Sequence, residues 1–297
     1  MTGMMAIPLA VASAMAWQHM RYLRARRDIV QDRQPVFSSG FHVITFLELA
    51  DGADVVAEVG QLGKTLEEAH GARLVYAGQG FPALESSQLG PVSWSAVVLM
   101  QYPSRRAYDQ AAQAEAHRDA LGHFDRTYSH GMRRPWPLNL LVPQALLMLA
   151  VVDKLRGSWE LPPLEAAPPS ELAESMRDGP ERMLELRAIN DEAVVVFNLI
   201  KQGSAAQRAA DGSYGRKMIA RMARLAHGPI HVGVSVTLEG DAAFDQVVVV
   251  YYPGVSYFAQ LVRSRFFQGI VGDKRPGDSQ AVLTVPILSR LDERAAR

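Results

Sequence analysis

Hydrophobic and polar positions follow one pattern twice along this chain. AVVLMQYPSRRAYDQ (residues 96–110) and QVVVVYYPGVSYFAQ (246–260) align without a gap: Val97 falls on Val247, Val98 on Val248, Tyr102 on Tyr252 and Pro103 on Pro253. Trp94 meets the aromatic Phe244, and Tyr108 meets Phe258. Upstream, EEAHGARLVYAG and RLAHGPIHVGVS share Ala-His-Gly at 69–71 and 226–228, and VITFLEL and VVVFNLI set Phe46 opposite Phe197. The pattern is an internal duplication.

The second copy is the clearer one. AVVVFNLIK is rich in β-branched residues and predicts a strand, and YGRKMIARMARLAHG has apolar residues at helical spacing and ends in a helix-stopping glycine. PIHVGVSVTL and FDQVVVVYY predict two strands about a turn at Glu239, Gly240 and Asp241. A helix from about Ser256 follows, with Arg263 on it, and AVLTVPI closes the unit as a strand whose Pro286 suits a sheet edge. Strand, helix, strand, strand, helix, strand is the ferredoxin-like order. The first copy repeats it from His42 to Arg134, with its last strand barely patterned in RTYSHGMRR. Along 244–252 one face carries Phe244, Val248, Val250 and Tyr252 and the other Val247, Val249 and Tyr251, so both faces must be covered. The predicted fold class is α+β, with repeats at 42–134 and 183–289 packing their sheets together within one chain.

Two further segments are apolar. Met4 to Met20 holds no charged side chain apart from a protonated His19, and Arg21, Arg24, Arg26 and Arg27 follow at once. Cations after an apolar run oppose export, so residues 1–34 predict an N-terminal apolar helix that anchors the chain in membrane lipid, with the bulk on the cytoplasmic side. Ala6, Ala10 and Ala14 have the small-residue spacing for a helix partner in a membrane. The alternative is an alanine-rich helix packed on its own domain. Within 135–182, Leu138 to Val152 is apolar except for Asn139 and Gln144. It is flanked by Arg133, Arg134 and Trp136 on one side and Lys154, Arg156 and Trp159 on the other. It predicts either a helix lying at a membrane interface or a buried connecting helix. Pro162, Pro163, Pro168 and Pro169 then stiffen a linker into the second copy.

Composition narrows the chemistry. With 297 residues and 48% hydrophobic composition the chain can bury a large core. Lys plus Arg and Asp plus Glu both total 31, so no global field draws in nucleic acid. The absence of cysteine excludes disulfides, thiolate metal sites and cysteine nucleophiles.

The stretch GDAAFDQVVVVYYPGVSYFAQLVRSRFFQGI, the helix ending ARLAHG and the strand VVVFNLIK together resemble a bacterial domain of unknown function in the dimeric alpha-beta barrel superfamily. The resemblance spans most of 193–287 and, more weakly, 42–125. It implies that two copies pair into a barrel, here as a fused dimer. Relatives in that superfamily include cofactor-free monooxygenases, isomerases, haem enzymes and proteins of no known activity, so the resemblance implies a fold and not a reaction. Leu47 stands where the second copy has Asn198, and the loop between the first copy's middle strands is longer, so two equivalent sites are not implied.

Apparent motifs give little. EVGQLGKT (58–65) has a glutamate where a phosphate loop needs its first glycine, and GQGFPA (78–83) is followed by no helix to receive a pyrophosphate. His70 and His227 each precede a helix-stopping glycine and read as caps, and His117, His123 and His130 are too widely spaced for a local metal motif. No cofactor or metal ligand set stands out. The remaining candidate is a ligand-binding set in the second copy: Asn198 inside an apolar strand, Tyr214 opening the next helix, Tyr252 ending a middle strand, and Arg263. These readings predict a membrane-associated protein whose fused barrel binds a small, mostly apolar molecule, with cofactor-free catalysis as an added capability. The alternative is an accessory or structural subunit of a membrane protein complex.

Overall fold

The computed structural model describes residues 2–35, 38–81, 94–157, 160–172, 177, 193–225, 228–241 and 243–296, without the side chains of 2–8 and 139. Its centre is one closed barrel of eight strands in the order β1-β3-β2-β8-β5-β7-β6-β4. β1 (Phe41–Glu48), β2 (Arg73–Gly80), β3 (Ala96–Tyr102) and β4 (Arg126–Arg133) form one sheet, and β5 (Val194–Lys201), β6 (Gly228–Thr237), β7 (Gln246–Tyr252) and β8 (Asp278–Pro286) the other. Both sheets have the ferredoxin-like order, fourth strand, first, third, second. Every ladder is antiparallel, and two short ones join the sheets: Gly78–Gly80 with Thr284–Pro286, and His130–Arg133 with Val234–Thr237. Pro286 therefore sits at a strand end facing Gly78 and not on an open edge. The poorly patterned RTYSHGMRR does form β4, held along its whole length by β1.

Each sheet buries two faces. Ile44, Phe46, Val97, Leu99, Phe197, Val247, Val249 and Tyr251 fill the barrel interior. Outside the first sheet, α2 (Val55–His70), α3 (Arg105–Gln113) and α4 (Glu115–Gly122) cover Val43, Leu47, Val98 and Met100. EVGQLGKT lies inside α2, which starts at Asp54, whose side chain accepts from Ala57 N–H, and ends at Gly71 in the left-handed conformation (φ 59°). His70 occupies its last turn, as the capping expectation required, whereas His227 and residues 82–83 of GQGFPA lie outside the described residues. One parity expectation fails: Phe244 packs with the interior group against His130, while Val248, Val250 and Tyr252 face outward. The chain turns at Asp245, whose N–H donates to Ile200 O, and the alternation begins only at Gln246.

The expected membrane-spanning N-terminal helix is not supported. Among the described residues no helix is long and apolar enough to cross a membrane. The helix α1 (Thr2–Arg24) carries Gln18, His19, Arg21 and Arg24 in its last turns, and there it is docked: Tyr22 is buried and its hydroxyl donates to Pro229 O at 2.8 Å. Ala10 and Ala14 are exposed. After a π-helical turn (Ala25–Ile29) the chain crosses one end of the barrel, where Arg33 N–H takes the carbonyl of Val75 and Val30 is fully buried. The apolar connecting segment forms α5 (Leu138–Leu155), which lies against α1, with Gln144 Nε2 donating to Met15 O. α5 buries Leu146 but exposes Leu140, Leu141, Met148, Leu149, Val151, Val152 and Leu155. It is thus not a buried connector.

Candidate functional site

The second sheet's outer face does not meet its helices everywhere. Above it run α6 (Ala205–Leu225), α7 (Val255–Val262) and α8 (Arg265–Val271). α6 buries only Met218, Arg221, Met222 and Ala223, all in its second half, while Gly212 and Gly215 in its first half stand where an added Cβ would meet nothing. Between α6 and the sheet lies a cavity of about 420 Å³, within the usual range for small-molecule sites. Its floor is Val196, Asn198, Val248, Val250, Tyr252, Ala281 and Leu283, its roof Tyr214, Met218, Ile219 and Met222, and its far wall Phe258, Leu261, Val262 and Phe267. These are the paired strands β5, β7 and β8 presenting every second residue.

Three of the four sequence-chosen residues meet here. Asn198 Nδ2 donates to Val248 O at 3.0 Å and to Val196 O at 3.3 Å. Two carbonyls on the nitrogen fix the orientation of the amide and leave its oxygen as an acceptor on a residue that lines the cavity. Tyr252 packs edge-on against Phe258 with ring centroids 4.9 Å apart, and burial pushes its phenol well above the usual range, so it stays a neutral donor. Tyr214 sits edge-on to Phe267 in the roof. Asp211, Arg216, Gln246 and Lys274 are further polar lining residues. Burial raises the Asp211 carboxyl against the opposing pull of Lys274.

Arg263 is not among the lining residues. The expected single helix from Ser256 is broken: α7 stops with Arg263 as its C-cap, and Ser264 caps α8 by accepting from Phe267 N–H. Arg263 instead holds the linker, its carbonyl accepting from Ala167 N–H and its Nη2 donating to Arg177 O. The sequence also left out the methionines of the roof, whose helical spacing marks them only as apolar.

The first repeat differs at the matching place. Leu47 is fully buried in an apolar cluster with Val59, Leu62 and Leu66 of α2. The duplicated tyrosine has the same structural role in both halves, Tyr102 packing edge-on to Tyr108 as Tyr252 does to Phe258. His70 and His117 approach to 5.8 Å between ring centroids, and burial lowers His117 to about 4. Among the described residues no group of three or more His, Cys, Asp or Glu is placed to hold a metal ion.

No protein-family model and no curated protein matches the chain. Solved structures do resemble it. A chlorite dismutase mutant from Candidatus Nitrospira defluvii shares 11% identity over 90% of this chain and 98% of its own, with a TM-score of 0.42. An anthrone oxidase-like protein shares 12% over 85% and 93%, with a TM-score of 0.39. A Rhodopseudomonas palustris protein of unknown function shares 20% over 42% of this chain and 98% of its own, with a TM-score of 0.31. All are too distant to bear on chemistry.

Proposed function

We propose that the protein binds one small, mostly apolar molecule in the cavity beneath α6, and does so while resting on an anionic membrane surface. The observation that carries the ligand reading is Asn198: its nitrogen is committed to two strand carbonyls, and its oxygen is the acceptor left for a ligand in an otherwise apolar floor. Tyr252, four residues along β7 from the Val248 that faces Asn198, adds a neutral phenol to the same lining. The preferred ligand carries a hydroxyl or N–H on an apolar body. Native mass spectrometry of protein purified gently from its host tests this: a small-molecule mass adduct is expected, and Asn198→Leu should weaken rebinding of that molecule about tenfold. An adduct unaffected by the substitution would place the ligand elsewhere.

A separate observation favours the membrane reading over a spanning anchor. Trp17, Met20, Arg21, Arg24 and Arg27 line one groove at the end of α1, with the Arg21 guanidinium 5.4 Å over the Trp17 ring. Exposed aromatic and apolar side chains beside cations suit the lipid headgroup boundary, and Trp136 just before α5 and Leu155 at its end are exposed as well. Flotation on vesicles containing phosphatidylserine is expected, with loss on pure phosphatidylcholine or on combining Trp17→Ser with Met148→Ser. Failure to float, together with a stable protein partner in gentle extracts, would favour the accessory-subunit alternative.

A further inference from the structure

Where the N-terminal segment crosses the barrel end, it encloses a second polar site that shares no residue with the cavity beneath α6. Arg26, Asp32, His42, Arg134 and His231 gather there, none more than 6% exposed. Asp32 is fully engaged: Oδ2 accepts from Arg26 Nε at 2.5 Å and lies 3.0 Å from His231 Nε2, and Oδ1 accepts from Gln34 N–H. Arg134 is not. Its Nη2 donates to Ile230 O at 2.8 Å, but its Nε and Nη1 are buried with no hydrogen-bond partner. Both ring nitrogens of His42 are in the same condition, and its ring centroid lies 6.2 Å from that of His231.

The charges do not balance. Burial first, and then His231, Arg134 and Arg26, hold His42 neutral, at about 3, against the opposing pull of Asp32, while burial holds His231 at about 4 against the same carboxylate. Burial and Arg26 lower Arg134 only to about 9, so it remains a cation at neutral pH. Two guanidinium groups therefore face one carboxylate, and the atoms without partners include N–H donors beside the excess positive charge. A buried cation in that setting is costly unless an acceptor with opposite charge completes it.

We propose that this barrel end binds one small monovalent anion, of about formate size, between the Arg134 guanidinium and the His42 ring. An anion supplies the missing charge and accepts from the unpartnered donors at once, whereas water would supply only the acceptors.

The test uses the full-length protein exchanged into a buffer whose only anions are bulky, such as gluconate. Equilibrium dialysis with radiolabelled formate should show saturable uptake of about one anion per chain, and formate should shift the ring-nitrogen resonances of His42. Arg134→Met should weaken uptake by about tenfold to a hundredfold. It should also abolish the formate-dependent rise in melting temperature measured against gluconate at equal ionic strength. His42→Phe keeps the ring volume and loses its donor, so it serves if Arg134→Met fails to fold. No saturable uptake by the wild type, or uptake that leaves the His42 resonances unmoved, overturns the proposal, as does unchanged affinity in a folded variant.

Discussion

Asn198 and Asp32 are both buried polar residues whose partners determine what they do. The Asn198 nitrogen satisfies strand carbonyls, so replacing the residue removes a ligand contact without leaving a buried charge. Asp32 is the opposite case. It holds Arg26 and His231 in the barrel end, and its carboxyl lies well below the usual range because those two groups and their hydrogen bonds outweigh its desolvation. Asp32→Asn should therefore cost about 3–5 kcal/mol, the loss expected when one member of a buried ion pair is removed. Chemical denaturation of the variant beside the wild type measures it, and a cost below about 1 kcal/mol would mean that the pair is not load-sharing in the folded state.

At the scale of elements, α6 decides whether the second repeat has a cavity at all. Its first half buries no side chain, and Gly212 and Gly215 bring neither apolar area nor helix propensity. Gly212→Ala has room for its methyl and should raise stability by about 0.5–1 kcal/mol, read from the urea midpoint, because alanine narrows the unfolded chain and favours helix. Both glycines line the cavity, and the far bulkier Gly215→Leu should instead occupy ligand volume and abolish the native mass adduct while the fold is kept. An adduct that survives would show that the roof is not the ligand's contact. α7 and α8 illustrate how an element boundary moves a residue: the Ser264 cap takes Arg263 off any helix face and turns it to the linker.

For the whole molecule, the barrel interior sets a pH dependence. Unfolded histidine takes up its proton near pH 6.5, whereas folded His42 and His231 do so only at about 3 and about 4. Between those values the unfolded chain binds more protons, so stability falls as pH falls, by about 1.4 kcal/mol per pH unit for each histidine. Asp32, ionised in the fold to still lower pH, adds loss in the same direction once unfolded carboxyls protonate below about pH 4. Urea midpoints should therefore drop between about pH 7 and pH 5, and His42→Phe should flatten the drop. The strand order was legible because β-branched runs such as VVVFNLIK recur with their helices in both copies, and Asn198 was legible as a lone polar residue in such a run. The barrel-end cluster was not: Arg26 read as one of four charges flanking an apolar helix, and His231 sat within the strand run PIHVGVSVTL. Arg26 reaches Asp32 from six residues away in the N-terminal segment, but only the fold brings His231 of the second repeat to the pair.

The two sheets meet through ladders of three and four residue pairs, while each sheet is knitted internally by longer ones. A chain severed between the repeats would leave two fragments, each with a complete strand set and two sticky borders shaped for the other. Expressed together they should recombine, and tethered to candidate interactors they would act as a split reporter whose signal depends on proximity.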